Sequence, residues 1–350
     1  MKKQVLVLSA LVTIISLFAF TAKHVFLYPT HFPKPVYHFN NNTLSKAKIE
    51  LGRVLFYDPI LSKDGSISCA SCHSSYNAFA HTDHDLSHGI NDQIGFRNAP
   101  ALFNLAWQQQ FMWDGAINHL DMQALAPIAH PKEMGENLTD VVTKLQSSTL
   151  YKTLFKNAYH DSLVTGERLL KAMSQFQLTL VSSESKYDKV IKKQASFTEQ
   201  EQRGYTLFKQ HCNSCHTEPL FSNYTFANNG LPVDSTLNDF GKMNITRKKE
   251  DSLLFKIPTL RNLSYTFPYM HDGRFKKLNE VLHHYTQGIK PSATLAVQLK
   301  NNINLSPYQK TDLMAFILTL NDSAFVFNPN HKYPHQVFGA TPNNIPTNKR

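Results

Sequence analysis

The pentapeptides CASCH at residues 69–73 and CNSCH at residues 212–216 decide how the chain is organised. Each reads C-x-x-C-H, and together they contain all 4 cysteines of the 350 residues. This is the attachment pattern of c-type haem, in which two thiols bond covalently to the porphyrin and the next histidine ligates the iron. The sequence therefore predicts two covalent haems. The predicted attachment residues are Cys69, Cys72, His73, Cys212, Cys215 and His216.

Three other kinds of site also use paired cysteines. A zinc site made of four thiolates requires both pairs to converge and leaves the two histidines without a role. A thioredoxin-like pair requires a βαβ context, which the sequence lacks, and structural disulfides do not explain a histidine after each pair. Because the whole pattern occurs twice with no cysteine left over, haem is favoured over all three.

The amino-terminal residues have the layout of an export signal. Lys2 and Lys3 precede an apolar run at residues 5–22. The run lacks a clear small-x-small cleavage site and is close to the minimum length of a membrane-spanning helix, so residues 1–23 are predicted to be either a signal peptide or a membrane anchor. Both alternatives imply export to the periplasm, which agrees with c-type haem attachment outside the bacterial cytoplasm.

The charge of the chain says little about partners. The formal net charge is +10, and Lys2, Lys3 and Lys23 of the leader contribute to it. Four haem propionates would lower the charge of the mature protein further, so the surplus is weak support for an anionic partner. No basic run is interleaved with aromatic residues, which argues against nucleic acid as a partner.

Helical spacing of apolar residues dominates the sequence. It predicts helices at residues 44–57, 102–110, 138–145, 163–181, 278–285 and 306–320. Residues 199–211 are predicted to form a helix that starts with a capping box at Thr198 and Glu201 and runs into the second motif. Sustained alternation of apolar and polar residues is absent, so the fold is predicted to be mostly α.

Seven phrases around the two motifs form a set. They are LGR at 51–53, LFYDP at 55–59, RNAP at 97–100, WDG at 113–115, EMG at 133–135, FKIPTLRN at 255–262 and PYMHDG at 268–273. In this order and spacing, over about residues 45 to 320, they resemble the bacterial di-haem cytochrome c peroxidases. Each phrase alone is a weak signal, and together they are specific.

The resemblance implies two cytochrome c-like haem domains packed around an interdomain interface. The expected division is residues 1–23 as signal peptide or anchor, 24–42 as a linker, 43–195 as an N-terminal peroxidatic haem domain, 196–325 as a C-terminal electron-transfer haem domain and 326–350 as an irregular tail.

The family has two branches that differ in the distal ligand of the second haem. In one branch a methionine lies fourteen residues beyond the histidine of the His-Asp-Gly phrase, and in the MauG-like branch a tyrosine lies there. That position, counted from His271, is Tyr285, so the resemblance implies the MauG-like branch and Tyr285 as ligand. A phenolate is a hard anion that stabilises ferric and higher-valent iron, whereas a thioether favours ferrous iron. The alternative is that Tyr285 is a buried packing residue and that Met270 or Met243 ligates the iron.

At the first haem the resemblance implies a distal pocket for peroxide. Glu133 matches the family's acid–base residue, Gln123 its distal amide, and Trp113 the tryptophan that lies between the haems as an electron relay. A glutamate with a raised pKa could accept a proton from one peroxide oxygen and return it to the other near neutral pH. From the residues alone, a surface Glu133 and a core Trp113 are the simpler interpretations.

Two further ligand sets follow from the resemblance alone. His88 is the nearest candidate for a removable distal ligand of the first haem, although the family's usual position aligns with Ile90, and a permanently open five-coordinate haem is the alternative. His81 and His84 are expected to be solvated, and the alternative is that one of them serves as the ligand. One calcium ion is expected between the haems, at Asn98, Thr266 and Pro268.

The first functional hypothesis is an oxidoreductase, a cytochrome c peroxidase that reduces hydrogen peroxide to water with electrons from a small periplasmic donor, a cytochrome c or a cupredoxin. The second is MauG-like oxidation of a protein or organic substrate through high-valent haems. The third is a non-catalytic di-haem electron-transfer cytochrome, which requires two inert six-coordinate irons. The sequence leaves the donor and the formation of a homodimer open.

Overall fold

Helices dominate the computed structural model, which describes residues 26–301 and 303–339. They are α1 Lys46–Tyr57, α2 Cys69–Cys72, α3 Leu120–Gln123, α4 Leu125–Ala129, α5 Leu138–Ser147, α6 Thr149–Tyr159, α7 Gly166–Leu178, α8 Lys186–Ile191, α9 Glu199–His211, α10 Met243–Thr246, α11 Leu278–His283, α12 Pro307–Leu318, α13 Ser323–Val326 and α14 His335–Phe338. The only sheet within the described residues pairs β1 Phe226–Ala227 with β2 Phe255–Lys256. The mostly α prediction is confirmed.

A close crossing of α1 over α7 organises the first half of the chain. A Cβ atom at Gly52 would lie 1.9 Å from the carbonyl oxygen of Ala172, so only glycine allows this approach. One helical turn further along each helix, Phe56 and Phe176 pack against each other with ring centroids 5.3 Å apart. Both phenylalanines are buried in the core of this half.

The second half repeats the same arrangement with α9 over α12. A Cβ atom at Gly204 would lie 1.9 Å from the carbonyl oxygen of Asp312. One turn further, Phe208 and Phe316 are buried with ring centroids 5.1 Å apart. In each half the helix that carries the glycine is the long helix preceding a C-x-x-C-H motif, so the same crossing sets the position of both motifs.

Replacing Gly204 by Ala is expected to destabilise the protein by about 2 kcal/mol or more, because the added methyl overpacks a helix crossing that has no space for it. The sign of this change in the free energy of unfolding is diagnostic, because Gly→Ala within an unhindered helix stabilises a protein by up to about 1 kcal/mol. Thermal unfolding of the holoprotein measures the change. The matched control is Gln202→Ala on the exposed side of α9. A Gly204→Ala variant as stable as this control would show that α9 and α12 do not meet here.

Buried polar contacts join the two halves. Arg261 forms a bidentate ion pair with Asp188 at 2.7 and 2.8 Å, and both side chains are fully buried. Residues 26–42, predicted as a linker, pack along this junction, where His31 contacts Asp188 at 2.9 Å. At the other end of the chain, the Tyr57 hydroxyl donates to the carbonyl oxygen of His331 at 2.6 Å. Both ends of the described chain are therefore tied to the core.

The predicted helices differ most from the observed ones in two places. Helix α9 begins and ends at the predicted residues, and the Thr198–Glu201 capping box is present. The helix predicted at residues 102–110 is wrong: only one 3-10 turn, Leu105–Trp107, forms there, because Asn104 has left-handed backbone angles with φ 54°. The helix predicted at residues 278–285 ends at His283, and a π turn, His284–Gly288, follows it.

Candidate haem sites and distal pocket

The second motif opens on a cavity of about 260 Å³. A single water needs only about 10–15 Å³ by the same kind of measure, so the cavity has room for a large group. Its wall is mostly apolar and includes Cys212, Cys215, His216 and Tyr285. Burial raises the pKa of Cys212 to about 12, so its thiol is neutral and not a thiolate.

Both motif histidines are oriented by backbone carbonyl oxygens. His73 Nδ1 lies 2.9 Å from the carbonyl oxygen of Phe79, and His216 Nδ1 lies 3.1 Å from that of Pro258. With Nδ1–H as the donor, each ring keeps the lone pair of Nε2 for a metal, as ligating histidines usually do. Burial lowers the pKa of both imidazoles to about 4, so they are neutral. Two thiols beside an oriented neutral imidazole fit a covalently attached haem at both motifs.

The first motif opens on a narrower cavity of about 40 Å³ that brings the predicted distal residues together. Gln123, Glu133 and His88 line it alongside Cys72 and His73. The buried Gln123 accepts a hydrogen bond from Gln177 Nε2 through Oε1 at 3.0 Å. The Gln123 amide nitrogen is thereby left as a donor for a ligand.

The Glu133 carboxyl group combines burial with access to solvent. Burial raises its pKa, and the nearby His130, with Nδ1 3.7 Å from Oε1, opposes the rise. About 34% of the side chain remains exposed. A carboxyl group in this setting can exchange protons with solvent and also present them to a ligand in the cavity.

His88 belongs to a stack of three imidazoles beside this cavity. Its ring centroid lies 4.2 Å from that of His84, and His84 Nδ1 lies 3.1 Å from His81 Nε2. His81 and His84 are partly buried and contact each other, which differs from the expectation that they are solvated. His88 Nδ1 contacts Asp92 at 2.8 Å, so Nε2 is its remaining ring nitrogen. Ligation of iron by His88 stays a prediction.

Tyr285 reaches the second cavity from the π turn that follows α11. Burial raises the pKa of its hydroxyl to about 12, and a hydrogen bond with Asn229 opposes the rise. Met270 lines the same cavity, but its thioether accepts a hydrogen bond from Asn229 Nδ2 at 3.5 Å. Met243 lies on α10 and is absent from the cavity wall. Tyr285 and Met270 thus both reach the cavity and both contact Asn229, and ligation of iron by Tyr285 stays a prediction.

Trp113 lies where loops of the first half close the wall of the second cavity. Its Nε1 donates to the carbonyl oxygen of Asn98 at 2.9 Å. Its loop is fixed by Arg97, which bridges Asp114 and Asp239, with 2.6 Å to each. Asn98 also lines the second cavity, as do Thr266 and Pro268, so the three predicted calcium residues surround one space.

Comparisons with known proteins agree with this geometry. Residues 46–196 match the family model described as di-haem cytochrome c peroxidase. The methylamine utilization protein MauG of Methylorubrum extorquens is 35% identical over 82% of this chain and 82% of its own. The chain belongs to the di-haem cytochrome c peroxidase family. The cytochrome c551 peroxidase of Nitrosomonas europaea, another relative, is 34% identical over 81% of this chain and 82% of its own.

A solved structure extends the family likeness to nearly the whole fold. A MauG-like protein associated with microbial copper homeostasis superposes with a TM-score of 0.79 and 29% identity, covering 89% of this chain and 99% of that one. The predicted fold, two cytochrome c-like haem domains, is thereby confirmed. As a member of the family, the chain carries two c-type haems.

Several residues of these sites were not predicted from the sequence. Lys256 and Arg261 lie within the quoted phrase FKIPTLRN, yet the burial of Arg261 and the partners of both side chains have no local signal. Tyr224 and Asp239 come from a polar stretch that no motif marks. Their places in the structure depend on how distant parts of the chain pack together.

Proposed function

We propose that the protein is a di-haem cytochrome c peroxidase that reduces hydrogen peroxide to water with electrons from a small donor protein. The observation that carries the proposal is the meeting of Gln123 and Glu133 in the cavity of the first motif. Electron transfer alone does not require a carboxyl group and an amide donor beside the iron. The family relatives named as peroxidases support the same conclusion.

In the proposed mechanism, the first haem supplies the coordination site and electrons for cleavage of the O–O bond. Gln123 orients the bound peroxide through its free amide N–H. The Glu133 carboxylate accepts the proton from one peroxide oxygen and returns it to the other, which leaves as water. The reaction consumes two electrons and two protons for each peroxide and yields two waters. The transferred proton belongs to the peroxide itself, so both consumed protons come from solvent, to which the exposed part of Glu133 gives access.

Electrons are proposed to enter at the second haem and to pass Trp113. The support is its place in the wall of the second cavity and the rigid hydrogen bond of its indole to Asn98. An aromatic side chain between two redox groups shortens the gap that an electron must cross. The Arg97 bridge keeps this indole from moving away.

The proposal is tested by the stoichiometry of turnover. Purified holoprotein is mixed with hydrogen peroxide and an excess of a reduced small cytochrome c, and both are followed optically. Oxidation of two donors per peroxide is expected. Failure to consume peroxide, together with two inert low-spin haems in the resting spin-resonance spectrum, would instead indicate an electron-transfer cytochrome.

A second candidate function is oxidation of a protein or organic substrate. It is favoured by Tyr285 in the second cavity and by the relatives named MauG. In this case peroxide would change the absorption spectrum while the reduced cytochrome c stayed reduced. The same mixing experiment therefore separates the two functions.

We also propose that a calcium ion lies between the haems at Asn98, Thr266 and Pro268. Calcium prefers oxygen ligands such as amide and backbone carbonyl groups, which these residues offer.

Removing calcium is expected to slow peroxide turnover, because the loops between the two haems lose a shared ligand. Holoprotein is treated with a calcium chelator, and turnover and haem spectra are measured before and after. Added Ca²⁺ is expected to restore both, whereas Mg²⁺ is not, because Mg²⁺ demands stricter octahedral geometry. Activity that is insensitive to chelation, in protein shown to contain no calcium, would contradict the proposal.

We propose that the protein is exported to the periplasm. The support is the Lys2–Lys3 and apolar 5–22 layout, which lies outside the described residues. Within the described residues, no helix is long and apolar enough to span a bilayer. Fractionation of cells producing the full chain tests the location, and haem-stained protein in the cytoplasm would contradict it.

A further inference from the structure

Two polar side chains in the wall of the second cavity have no part in the peroxide chemistry. Lys256 lies on β2, and Tyr224 lies just before β1. The two strands pair antiparallel, with Phe226 opposite Lys256, so Tyr224 lies two residues from the position opposite Lys256. Both line the cavity that contains the attachment residues of the second haem.

The Lys256 ammonium group has neutral partners only. It donates to Oε1 of Gln108 at 2.8 Å and to the carbonyl oxygen of Gln110 at 3.1 Å, which leaves one of its three N–H groups. Burial lowers the pKa of Lys256 to about 7, and the more distant Asp114 only partly opposes this. Asp114 itself is paired with Arg97 at 2.6 Å. A buried cation with no anion beside it is costly, so the site is incomplete as it stands.

The Tyr224 hydroxyl is the second incomplete group. It is buried and has no hydrogen-bond partner within the described part of the chain. Burial raises the pKa of Tyr224, so the hydroxyl remains a hydrogen-bond donor. Buried polar groups in native proteins are nearly always paired, which means that a missing partner points to a ligand.

We propose that Lys256 and Tyr224 bind a propionate carboxylate of the haem attached at Cys212 and Cys215. The Lys256 ammonium forms an ion pair with the carboxylate, and the Tyr224 hydroxyl donates a hydrogen bond to it. Both missing partners are thereby supplied by one anionic group. This inference rests on the second haem of the proposed function but not on the peroxide chemistry.

The pair has a consequence for electron transfer. A buried cation close to a haem favours the ferrous over the ferric form, because the ferrous form carries less positive charge. Lys256 also donates through its backbone N–H to the carbonyl oxygen of Trp113 at 2.7 Å. The residue that binds the haem carboxylate therefore also fixes the backbone of the tryptophan between the haems.

The experiment compares midpoint potentials in full-length holoprotein with Lys256→Met and Tyr224→Phe. Lys256→Met is expected to shift the second haem at least tenfold toward the ferric form, which is about 59 mV for one electron. Tyr224→Phe is expected to shift it in the same direction by less. The propionate bending modes in the resonance Raman spectrum should change in both variants. Lys209→Met, an exposed lysine on α9, is the control and should change neither property.

Unchanged potentials and Raman modes in both variants, with two haems attached by mass, would overturn the inference. If Lys256→Met fails to retain the second haem, Lys256→Arg and Tyr224→Phe decide, since the first restores the charge and the second removes only a hydroxyl. The carboxylate site is supported if Lys256→Arg retains the second haem and Tyr224→Phe shifts its midpoint potential. Because no peroxide is used, absent turnover in the unaltered protein would contradict the proposed function without affecting this result.

Discussion

Replacing Glu133 by Gln is expected to slow peroxide turnover by about a hundredfold or more while both haems stay attached. The amide is nearly the same size as the carboxyl group and keeps the cavity shape, but it cannot accept the proton from peroxide. Gln123 would still orient the ligand, so peroxide binding should survive better than its cleavage. Stopped-flow absorption separates these two steps.

The pH dependence of the same variant gives a sharper test. Glu133 must be ionised to accept the first proton, and burial raises its pKa above that of an ordinary glutamate. Turnover by the unaltered protein should therefore fall as the pH is lowered through this raised pKa, and the fall should begin at a higher pH than an exposed glutamate would give. In the Glu133→Gln variant, this decrease in turnover at low pH should be absent.

A matched control is available three residues along the chain. Glu136 is buried, pairs with Lys144 at 2.7 Å and does not line the cavity of the first motif. Glu136→Gln should lower stability and leave turnover per attached haem unchanged. Equal turnover in Glu133→Gln and Glu136→Gln would remove Glu133 from the mechanism.

Local features of the structure could be predicted from the sequence. Helix α9 begins at its capping box and ends at the second motif because both signals lie within a few residues of the helix itself. The two C-x-x-C-H motifs are equally local. The residues alone, in contrast, gave Glu133 and Trp113 no functional role, and only the family resemblance placed them at the haems.

Long-range contacts account for what could not be predicted. Asn104 breaks the helix predicted at residues 102–110, and its side chain contacts Ser182, 78 residues away. The Arg97–Asp239 pair spans 142 residues. No periodicity or motif encodes such a contact, since it exists only when both halves of the chain are packed. The carboxylate site of Lys256 and Tyr224 is hidden from the sequence for the same reason.

Replacing Tyr285 by Met is expected to raise the midpoint potential of the second haem by about 0.1 V or more, a modest part of the ~0.8 V range that axial ligands set. A phenolate stabilises ferric iron, whereas a thioether stabilises ferrous iron. The π turn directs Tyr285 into the cavity, so a methionine at this position can reach the same space. Spectroelectrochemical titration of both haems measures the change.

The matched control is Tyr269→Phe. Tyr269 lines the same cavity, but its hydroxyl donates to the carbonyl oxygen of Leu263 at 2.9 Å, and its loss should leave the potential nearly unchanged. If Tyr285→Met also causes no shift, Tyr285 is not on the iron, and Met270 becomes the candidate ligand. Met270→Leu would then lower the potential, whereas it should have little effect if Tyr285 ligates. The two substitutions therefore give opposite patterns for the two ligands, and one titration of each variant assigns the chain to its branch of the family.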